Sequence, residues 1–426
     1  MVIYTVQPGD TLYQISQRFG VSPQRAIVDN SISDPRNLPP GQNLLLLTPA
    51  VTYTVRQGDT LSSIAARYGV TVQALLQNNP QLILSPTLHV GQEVVIHFTA
   101  GKRRRVAVNG YAYDYIIPDV LRRALPYLTY LTIFGYGFTS EGRLIPPEDR
   151  PLIAMAREHD VTPVMLLSSI TEDGNFNPQR ASALFNDPSL QERVLLNILA
   201  VMDQKGYEGL DIDFEFIEPQ DSAAYLRFLE NAAGKLHSAG HFLHVDLAPK
   251  TSDAQQGLLY ESHNYGAIGE IADSVLLMTY EWGYTYGPPM AVAPLNQVRR
   301  VVEYGTSVID PGKIQLGLPN YGYDWILPFE RGVTRATAIG NEYAVDIARR
   351  QGAFIQFDQT AQSPYFDYYR DGLSHVVWFE DVRSIEQKYD LMDEFGLAGG
   401  GYWNLMRPFQ QNWSFVAARY NIVNAL

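Results

Sequence analysis

Eight apolar runs alternate with helical segments over residues 102–426, and this alternation restricts the possible folds more than any other feature of the chain. One helical segment, for example, opens with Asp187 and Pro188, a typical helix start. Nearly continuous apolar strands separated by amphipathic helices are typical of parallel sheets. Eight such units predict an α/β fold, a (β/α)8 TIM barrel. The runs are residues 106–111, 131–138, 161–168, 210–216, 243–248, 275–282, 314–321 and 397–403.

One interval in this series, from Asp324 to Phe395, is too long for a single connecting helix. It contains a helix-like piece at residues 341–350 and strand-like runs at residues 354–357 and 375–379. We therefore expect a small α+β insertion at about residues 324–380, before the last barrel strand.

Residues 209–216 form an unusual strand, in which apolar residues and carboxylates alternate strictly. Successive side chains of a strand point to opposite faces, so Asp211, Asp213 and Glu215 share one face. Neighbouring carboxylates repel one another and burial penalises each charge, so the cost suggests that the row serves a purpose. The alternative is a solvated row on an exposed edge strand, but the opposite face is uniformly large and apolar: Leu210, Ile212, Phe214 and Phe216.

The active sites of such barrels lie at the C-terminal ends of the strands. We therefore expect Glu215 at the mouth, Asp213 one layer below it and Asp211 deeper still. Aromatic side chains and carboxylates at the other strand ends indicate sugar chemistry rather than phosphate or metal chemistry. These strand-end residues are Tyr111, Tyr136, Tyr280, Glu281, Trp282, Asn320, Tyr321 and Trp403.

Three closely spaced histidines, His237, His241 and His244, raise the possibility of a metal site. They lead into the fifth strand, which we expect to place them at the opposite face of the barrel. We interpret them as ordinary loop and helix-end histidines, and we expect neither a metal nor another cofactor.

Composition excludes several classes of partner. The formal net charge of −13 argues against nucleic acid and anionic membranes. No apolar run is long enough for a membrane span, and the N-terminal residues show no secretory signal. The chain has no cysteine, which excludes disulfides and thiolate sites. We expect a monomer.

The first hundred residues contain a repeat, since the motif Tyr-Thr-Val-x-x-Gly-Asp-Thr-Leu occurs at residues 4–12 and again at 53–61. Each copy reads as a strand, two helices and a closing strand. These motifs resemble the LysM domain, which binds N-acetylglucosamine polymers such as peptidoglycan and chitin. The resemblance implies LysM domains at residues 1–48 and 51–98, with linkers at 48–50 and 99–101 and the catalytic domain at 102–426. The alternative is a paired scaffold for protein contacts.

Residues 208–215 resemble the DxxDxDxE signature of family-18 glycoside hydrolases, which include the chitinases. The resemblance extends to residues 278–281, 317–322 and 399–403, which look like the sixth, seventh and eighth strands of that family. Glu208 and Glu281 depart from the pattern, because the family has aspartate at both positions.

The family resemblance implies substrate-assisted retaining catalysis. In this interpretation Glu215 protonates the glycosidic oxygen, the N-acetyl oxygen of the substrate attacks the anomeric carbon, and Asp213 holds the acetamido N–H. Asp211 shares protons with Asp213, and Tyr280 binds the acetamido oxygen. Trp403 forms the floor under the sugar. Further sugar contacts are expected from Glu281, Tyr111, Tyr136, Asn320 and Tyr321.

The two repeats and the barrel together resemble the spore cortex-lytic N-acetylglucosaminidases of the YaaH/SleL type. This resemblance implies a germination enzyme that cleaves after N-acetylglucosamine in cortex peptidoglycan or its fragments. It also implies a location in the coat and cortex region of an endospore-forming bacterium. Two alternatives remain open, a chitinase or chito-oligosaccharide hydrolase and a non-catalytic glycan-binding coat protein.

Overall fold

Two small βααβ units form the N-terminal quarter of the chain in the computed structural model, which describes residues 1–171 and 174–423. In both units the first helix is capped by a threonine, Thr11 or Thr60, and ends at a left-handed glycine, Gly20 or Gly69. The elements are β1 (Val2–Thr5), α1 (Leu12–Phe19), α2 (Pro23–Asn30), β2 (Asn43–Leu46), β3 (Pro49–Thr54), α3 (Leu61–Tyr68), α4 (Val72–Asn78) and β4 (Glu93–Phe98).

The expected linker at residues 48–50 is wrong in part. Strand β3 already begins at Pro49, which pairs with Phe98 of β4. Proline is tolerated there because it is the first residue of its strand, where no ladder hydrogen bond requires its missing N–H.

A closed barrel of eight parallel strands follows, which confirms the predicted fold class. It consists of β5, β6, β8, β9, β10, β11, β12 and β18, and it closes because β5 pairs with both β6 and β18. The strands after the repeats are β5 (Arg105–Tyr113), β6 (Tyr130–Phe138), β7 (Leu144–Ile145), β8 (Thr162–Ser168), β9 (Gly209–Asp213), β10 (Phe242–Leu247), β11 (Ser274–Leu277), β12 (Ile314–Pro319), β13 (Gly322–Leu327), β14 (Thr337–Ile339), β15 (Gln356–Asp358), β16 (Ser363–Arg370), β17 (Leu373–Trp378), β18 (Gly399–Trp403) and β19 (Asn421–Ile422).

Helices cover the outside of the barrel. The one that was expected at Asp187 and Pro188 is α8, and Asp187 is its N-cap. No helix in the described ranges is long and apolar enough to cross a bilayer. The helices are α5 (Pro118–Ala124), α6 (Arg150–Glu158), α7 (Pro178–Asn186), α8 (Pro188–Lys205), α9 (Ser222–Ser238), α10 (Tyr265–Ile271), α11 (Leu295–Val308), α12 (Asn341–Gln351), α13 (Val382–Phe395) and α14 (Gln410–Arg419).

Strands β9 and β11 end well before their apolar runs, which extend to residues 216 and 282. Strand β9 ends at Asp213, so Glu215 lies on the segment that follows it, and β11 ends at Leu277. Phe216 was expected on the buried face but is 44% exposed, with a left-handed backbone (φ 56°). The sheet ends at the pair Ser168–Asp213, and beyond this pair strand alternation no longer determines where side chains point.

The predicted insertion is a five-stranded antiparallel sheet in the order β14-β13-β17-β16-β15, packed with helix α12. Phe366 and Val377 are fully buried in the core between the sheet and the helix. The insertion also contacts the first repeat, since the Ile355 N–H donates to the Pro40 carbonyl oxygen (2.9 Å). A Cβ at Gly41 would lie 1.8 Å from the Ile355 oxygen, so only glycine fits there.

Candidate active site

A cavity of about 370 Å³ opens at the C-terminal ends of the barrel strands. Six of the residues predicted from sequence line it: Asp213, Glu215, Tyr280, Glu281, Trp282 and Trp403. This position agrees with the general location of chemistry in such barrels. The remaining lining residues are Tyr113, Phe134, Phe176, Asp246, Pro249, Leu259, Tyr260 and Met278.

The three carboxylates of the acidic row descend from the cavity into the barrel in the expected order. Glu215 is half-buried, whereas Asp213 is 6% exposed and Asp211 is fully buried. The Tyr111 hydroxyl lies 3.0 Å from Asp211 Oδ2. Oδ1 of Asp211 and Oδ1 of Asp213 have no hydrogen-bond partner among the described residues. The row is therefore buried without enough donors to stabilise three negative charges.

Burial and mutual repulsion raise the pKa of every carboxyl group in the row. The pKa of Asp211 rises well above its ordinary value through burial and the Asp213 charge, and that of Asp213 through burial and Glu215. The pKa of Glu215 is raised by burial and by Glu281. Carboxyl groups in such a row titrate together and keep protons at higher pH than isolated ones. Glu215 is consequently suited to donate a proton.

The segment that carries Glu215 is held by a hydrogen bond from the His263 side chain and by packing of the Phe214 ring. His263 Nδ1 accepts from the Ala248 N–H (3.0 Å), so its Nε2 carries the hydrogen and donates to the Phe214 carbonyl oxygen (3.2 Å). Burial lowers the pKa of His263 to about 4, which keeps the ring neutral. The Phe214 ring lies against Phe185 (5.2 Å between centroids). Together these contacts fix Phe214, and thereby hold the adjacent Glu215 at the mouth.

Tyr280 and Trp403 are placed by close packing of the neighbouring strands. A Cβ at Gly317 would lie 2.8 Å from a ring carbon of Tyr280, so the absence of a side chain at this position makes room for the tyrosine. The Trp403 ring is surrounded by Tyr111, Tyr113 and Phe134, with centroids 6.0, 5.8 and 5.3 Å away. Trp403 thus presents a fixed aromatic face to the cavity.

Four of the expected sugar contacts do not line the cavity. Tyr111 is fully buried below it, and Tyr136 is fully buried where its hydroxyl bonds Asp149. Asn320 instead donates to the carbonyl oxygens of Asn404 and Arg407.

Tyr321, the fourth, donates to Glu281 Oε1 and so supports a cavity residue without reaching the cavity. A position at the end of a barrel strand was therefore not enough to predict which side chains reach the cavity. For Tyr136, the pairing of β6 with β8 shifts register between Ile133 and Tyr136, which changes the face on which the side chain lies.

Sequence reasoning missed Asp246, which lines the cavity from β10 and is 3% exposed. The Tyr111 hydroxyl lies 2.8 Å from Asp246 Oδ1. A signal was present, because His244 and Asp246 alternate with Leu243, Val245 and Leu247, the same pattern that singled out the acidic row. A single carboxylate in a short run was too weak a pattern to predict a site residue.

The expectation for His244 was wrong. His244 is 2% exposed within β10, and its backbone lies in register with Asp211 of β9. Its Nδ1 is 2.7 Å from Ser274 Oγ. In contrast, His237 is an exposed residue that bonds Asp273, and His241 Nδ1 lies 3.3 Å from the Glu208 carbonyl oxygen.

Asp211, His244 and Asp246 each offer one ligand atom, all within 4.8 Å of one another, and within residues 1–171 and 174–423 this is the one grouping of that kind. The Tyr111 hydroxyl already contacts both carboxyl groups, and Ser274 holds the histidine Nδ1. We therefore interpret the three residues as members of a buried hydrogen-bond network.

Comparison with known proteins is consistent with this geometry. The sequence profile of the glycosyl hydrolases of family 18 matches residues 147–407, and that of the LysM domain matches residues 4–46 and 53–97. The chain is 37% identical to a cortical fragment-lytic enzyme of Bacillus anthracis over 99% of this chain and 98% of that protein. It is 41% identical to a cortical fragment-lytic enzyme of Bacillus subtilis over 72% of this chain and 71% of that protein. The crystal structure of the Bacillus megaterium spore cortex-lytic enzyme SleL is similar with a TM-score of 0.85 and 36% identity, covering 100% of this chain and 99% of that one.

Proposed function

Since the chain belongs to the glycosyl hydrolases of family 18, we propose that it cleaves the bond after N-acetylglucosamine in spore-cortex peptidoglycan or its fragments during germination. The observation that carries this proposal is the buried row of carboxyl groups ending at Glu215, with Tyr280 and Trp403 around the same cavity. The cortex as target is supported by relatives whose names state that activity and that match the whole chain.

Glu215 is the general acid in this proposal, because burial and the nearby Glu281 carboxylate help it to retain a proton. As the bond between the anomeric carbon and the glycosidic oxygen breaks, Glu215 gives its proton to that oxygen. The substrate's acetamido oxygen then bonds to the anomeric carbon, which forms an oxazolinium ion. Water attacks this carbon next, the bond from the carbon to the acetamido oxygen breaks, and the Glu215 carboxylate takes the proton from the water. The two successive inversions retain the configuration.

The other cavity residues act on the sugar before the cleavage. Asp213 accepts the acetamido N–H and compensates the positive charge of the intermediate, and the Tyr280 hydroxyl donates to the acetamido oxygen. The aromatic face of Trp403 supports the apolar face of the ring. Holding the acetamido group against the anomeric carbon converts a bimolecular attack into an intramolecular one.

The two LysM domains bind N-acetylglucosamine polymers, and two weak sites on one chain increase the affinity for a repeating polymer through effective concentration. We further propose that the protein acts in the coat and cortex region of the spore.

Mass spectrometry of products from digested cortex fragments tests the reaction. The wild-type protein is expected to release fragments with new reducing N-acetylglucosamine ends, and Glu215→Gln is expected to lower the rate by about 10²–10⁴-fold through loss of the general acid. Glu208→Gln is the matched control, because Glu208 precedes β9 and does not line the cavity. Full activity of Glu215→Gln would overturn the assignment of the acid.

Two further measurements separate the alternatives. Chitin oligomers assayed in parallel distinguish a chitinase, which would hydrolyse them in preference to cortex fragments. A glycan-binding coat protein would retain polymer binding and release no product even as wild type.

A further inference from the structure

We propose that Asp246 is a positioning residue that shares one proton with Asp211 through the Tyr111 hydroxyl, so that the two buried carboxyl groups carry a single negative charge between them. The role of this charge in catalysis rests on the proposed function. The sharing itself is a property of the hydrogen bonds and can be measured without substrate.

The Tyr111 hydroxyl contacts two carboxyl groups but has a single hydrogen. The Tyr111 hydroxyl oxygen lies 3.0 Å from Asp211 Oδ2 and 2.8 Å from Asp246 Oδ1. A phenol has one hydrogen, which it donates fully to one acceptor. If both carboxyl groups were ionised, one of the two contacts would bring the phenol oxygen and a carboxylate oxygen together with no hydrogen between them. Both contacts are satisfied when one carboxyl group is protonated and donates to the phenol oxygen, while the phenol donates to the other.

Within residues 1–171 and 174–423, the surroundings of Asp246 offer no other compensation for its charge. Among the described residues, the only ion-pair partner of Asp246 is His244, whose Nε2 lies 3.7 Å from Asp246 Oδ1. Burial lowers the pKa of His244 to about 3, so the ring is neutral. The pKa of Asp246 is raised well above its ordinary value by burial and by Asp211. The titratable groups that face Asp246 are Tyr111 of β5, Asp211 and Asp213 of β9, Glu215, His244 of β10, Tyr280 and, on α9, Tyr225.

The proton shared by Asp211 and Asp246 also affects the protonation of Asp213. Ile212 of β9 pairs with Val245 of β10, so Asp213 and Asp246 are the next residues along these two neighbouring strands. Two full charges at Asp211 and Asp246 would drive Asp213 to take up a proton. With one charge, Asp213 can stay ionised and accept the acetamido N–H. Asp246 therefore acts through Asp211 and Asp213.

Infrared spectroscopy at neutral pH tests the sharing directly, because protonated and ionised carboxyl groups absorb at different frequencies. We expect Asp246→Asn and Asp211→Asn each to remove one protonated-carboxyl signal from the wild-type spectrum. In either variant the remaining carboxylate accepts the Tyr111 hydrogen and needs no proton. Asp149→Asn is the matched control, since Asp149 is 1% exposed but forms an ion pair with Lys205 (2.6 Å). An unchanged signal in Asp246→Asn would overturn the proposal.

Enzyme kinetics of two substitutions at Asp246 separate the loss of its hydrogen bond from the loss of packing. Asparagine can still donate to the Tyr111 oxygen as the protonated carboxyl does, whereas leucine of similar volume cannot. We expect the kcat of Asp246→Asn to exceed that of Asp246→Leu by about tenfold, with a smaller difference in KM. Equal kcat values for the two variants would contradict the proposal.

Metal analysis of the same proteins gives a further outcome. A stoichiometric divalent ion that the wild-type protein retains and Asp246→Asn loses would overturn the proposal, because the ion would replace the proton. Failure of the proposed function is distinguishable from these results, since it would appear as a wild-type protein that releases no product while its infrared signals remain as expected.

Discussion

Two residues with left-handed backbone stand directly after the side chains assigned to the chemistry. Phe216 (φ 56°) follows Glu215, and Glu281 (φ 64°) follows Tyr280. Neither is glycine, and this conformation costs about 1 kcal/mol in a residue with a side chain. The 44% exposure of Phe216 shows that burial of its ring does not compensate this cost. Backbone strain of this kind is common at functional sites, which agrees with the position of both residues beside the cavity side chains Glu215 and Tyr280.

Glu281 also influences the protonation of Glu215. Its carboxylate accepts hydrogen bonds from Tyr321 and from Tyr323 (3.0 Å), and its negative charge raises the pKa of Glu215. Glu281→Gln removes this charge, so Glu215 loses its proton at a lower pH. The alkaline limb of the pH profile of kcat/KM is therefore expected to move to lower pH.

The control for this prediction is Glu158→Gln, because Glu158 is an exposed residue at the end of α6 that precedes β8, away from the cavity. Its profile should coincide with that of the wild-type protein. An alkaline limb that moves to higher pH in Glu281→Gln would show that the interaction between the two glutamates has been assigned the wrong sign.

The start and the end of helix α8 are determined by residues that lie next to them in the sequence. Asp187 accepts hydrogen bonds from the N–H groups of Ser189 (2.8 Å) and Leu190 (3.2 Å), and Pro188 occupies the first turn. Gly206 ends the helix in the left-handed conformation. The buried stripe of the helix packs on the barrel, with Leu190, Val194, Leu195, Ile198 and Met202 at helical spacing.

Asp187→Ala is expected to lower the free energy of unfolding by about 1 kcal/mol, because two N–H groups at the helix start lose their acceptor. Urea unfolding followed by tryptophan fluorescence measures the change. Gln204→Ala on the exposed face of the same helix should change stability by less than about 0.5 kcal/mol. Similar losses in both variants would show that the cap contributes nothing specific.

The repeats are joined to the catalytic barrel by buried polar contacts as well as by the chain. Arg25 of the first repeat pairs with Asp29 and donates to the Asn78 carbonyl oxygen of the second repeat. Ser414 of α14 donates to Asp29 (3.1 Å). Asn43 donates to Asp381 at the start of α13 (2.6 Å). The whole molecule thus holds the polymer-binding modules in a defined position beside the barrel.

Removal of Arg25 is expected to be strongly destabilising. Burial raises the pKa of Asp29, and Arg25 lowers it, so Arg25→Met leaves a buried carboxyl group without its partner. Loss of one member of such a pair costs about 3–5 kcal/mol. Denaturant unfolding and limited proteolysis between the repeats and the barrel should both detect the change.

Arg36→Met is the matched control in the same repeat, because Arg36 is 88% exposed and its pair with Asp34 lies at the surface. Such pairs contribute about 0–1 kcal/mol. If the two variants unfold alike, the buried pair does not stabilise the junction.

Much of the fold and part of the site could be predicted because their signals are local. Periodicity of two or 3.6 residues, a threonine before a helix and a glycine after it act within a few residues. Asp213 and Glu215 could be recognised because carboxylates and apolar residues alternate over residues 209–216, although only Asp213 lies within the strand. Tyr136 was misplaced because of a register shift in its strand, and Asn320 because its amide donates to the carbonyl oxygens of Asn404 and Arg407. Neither feature can be predicted from the residue pattern.

The buried network below the cavity depends on contacts that no local pattern encodes. Tyr111 reaches Asp211 and Asp246 across 100 and 135 residues of chain, and it does so only because the barrel closes and brings β5, β9 and β10 to face one interior. The alternation of side chains between the two faces of a strand follows from backbone geometry, so it can be predicted from the order of the amino acids. Which carboxyl groups share a proton follows from the register between strands, and that arises only when the whole barrel packs.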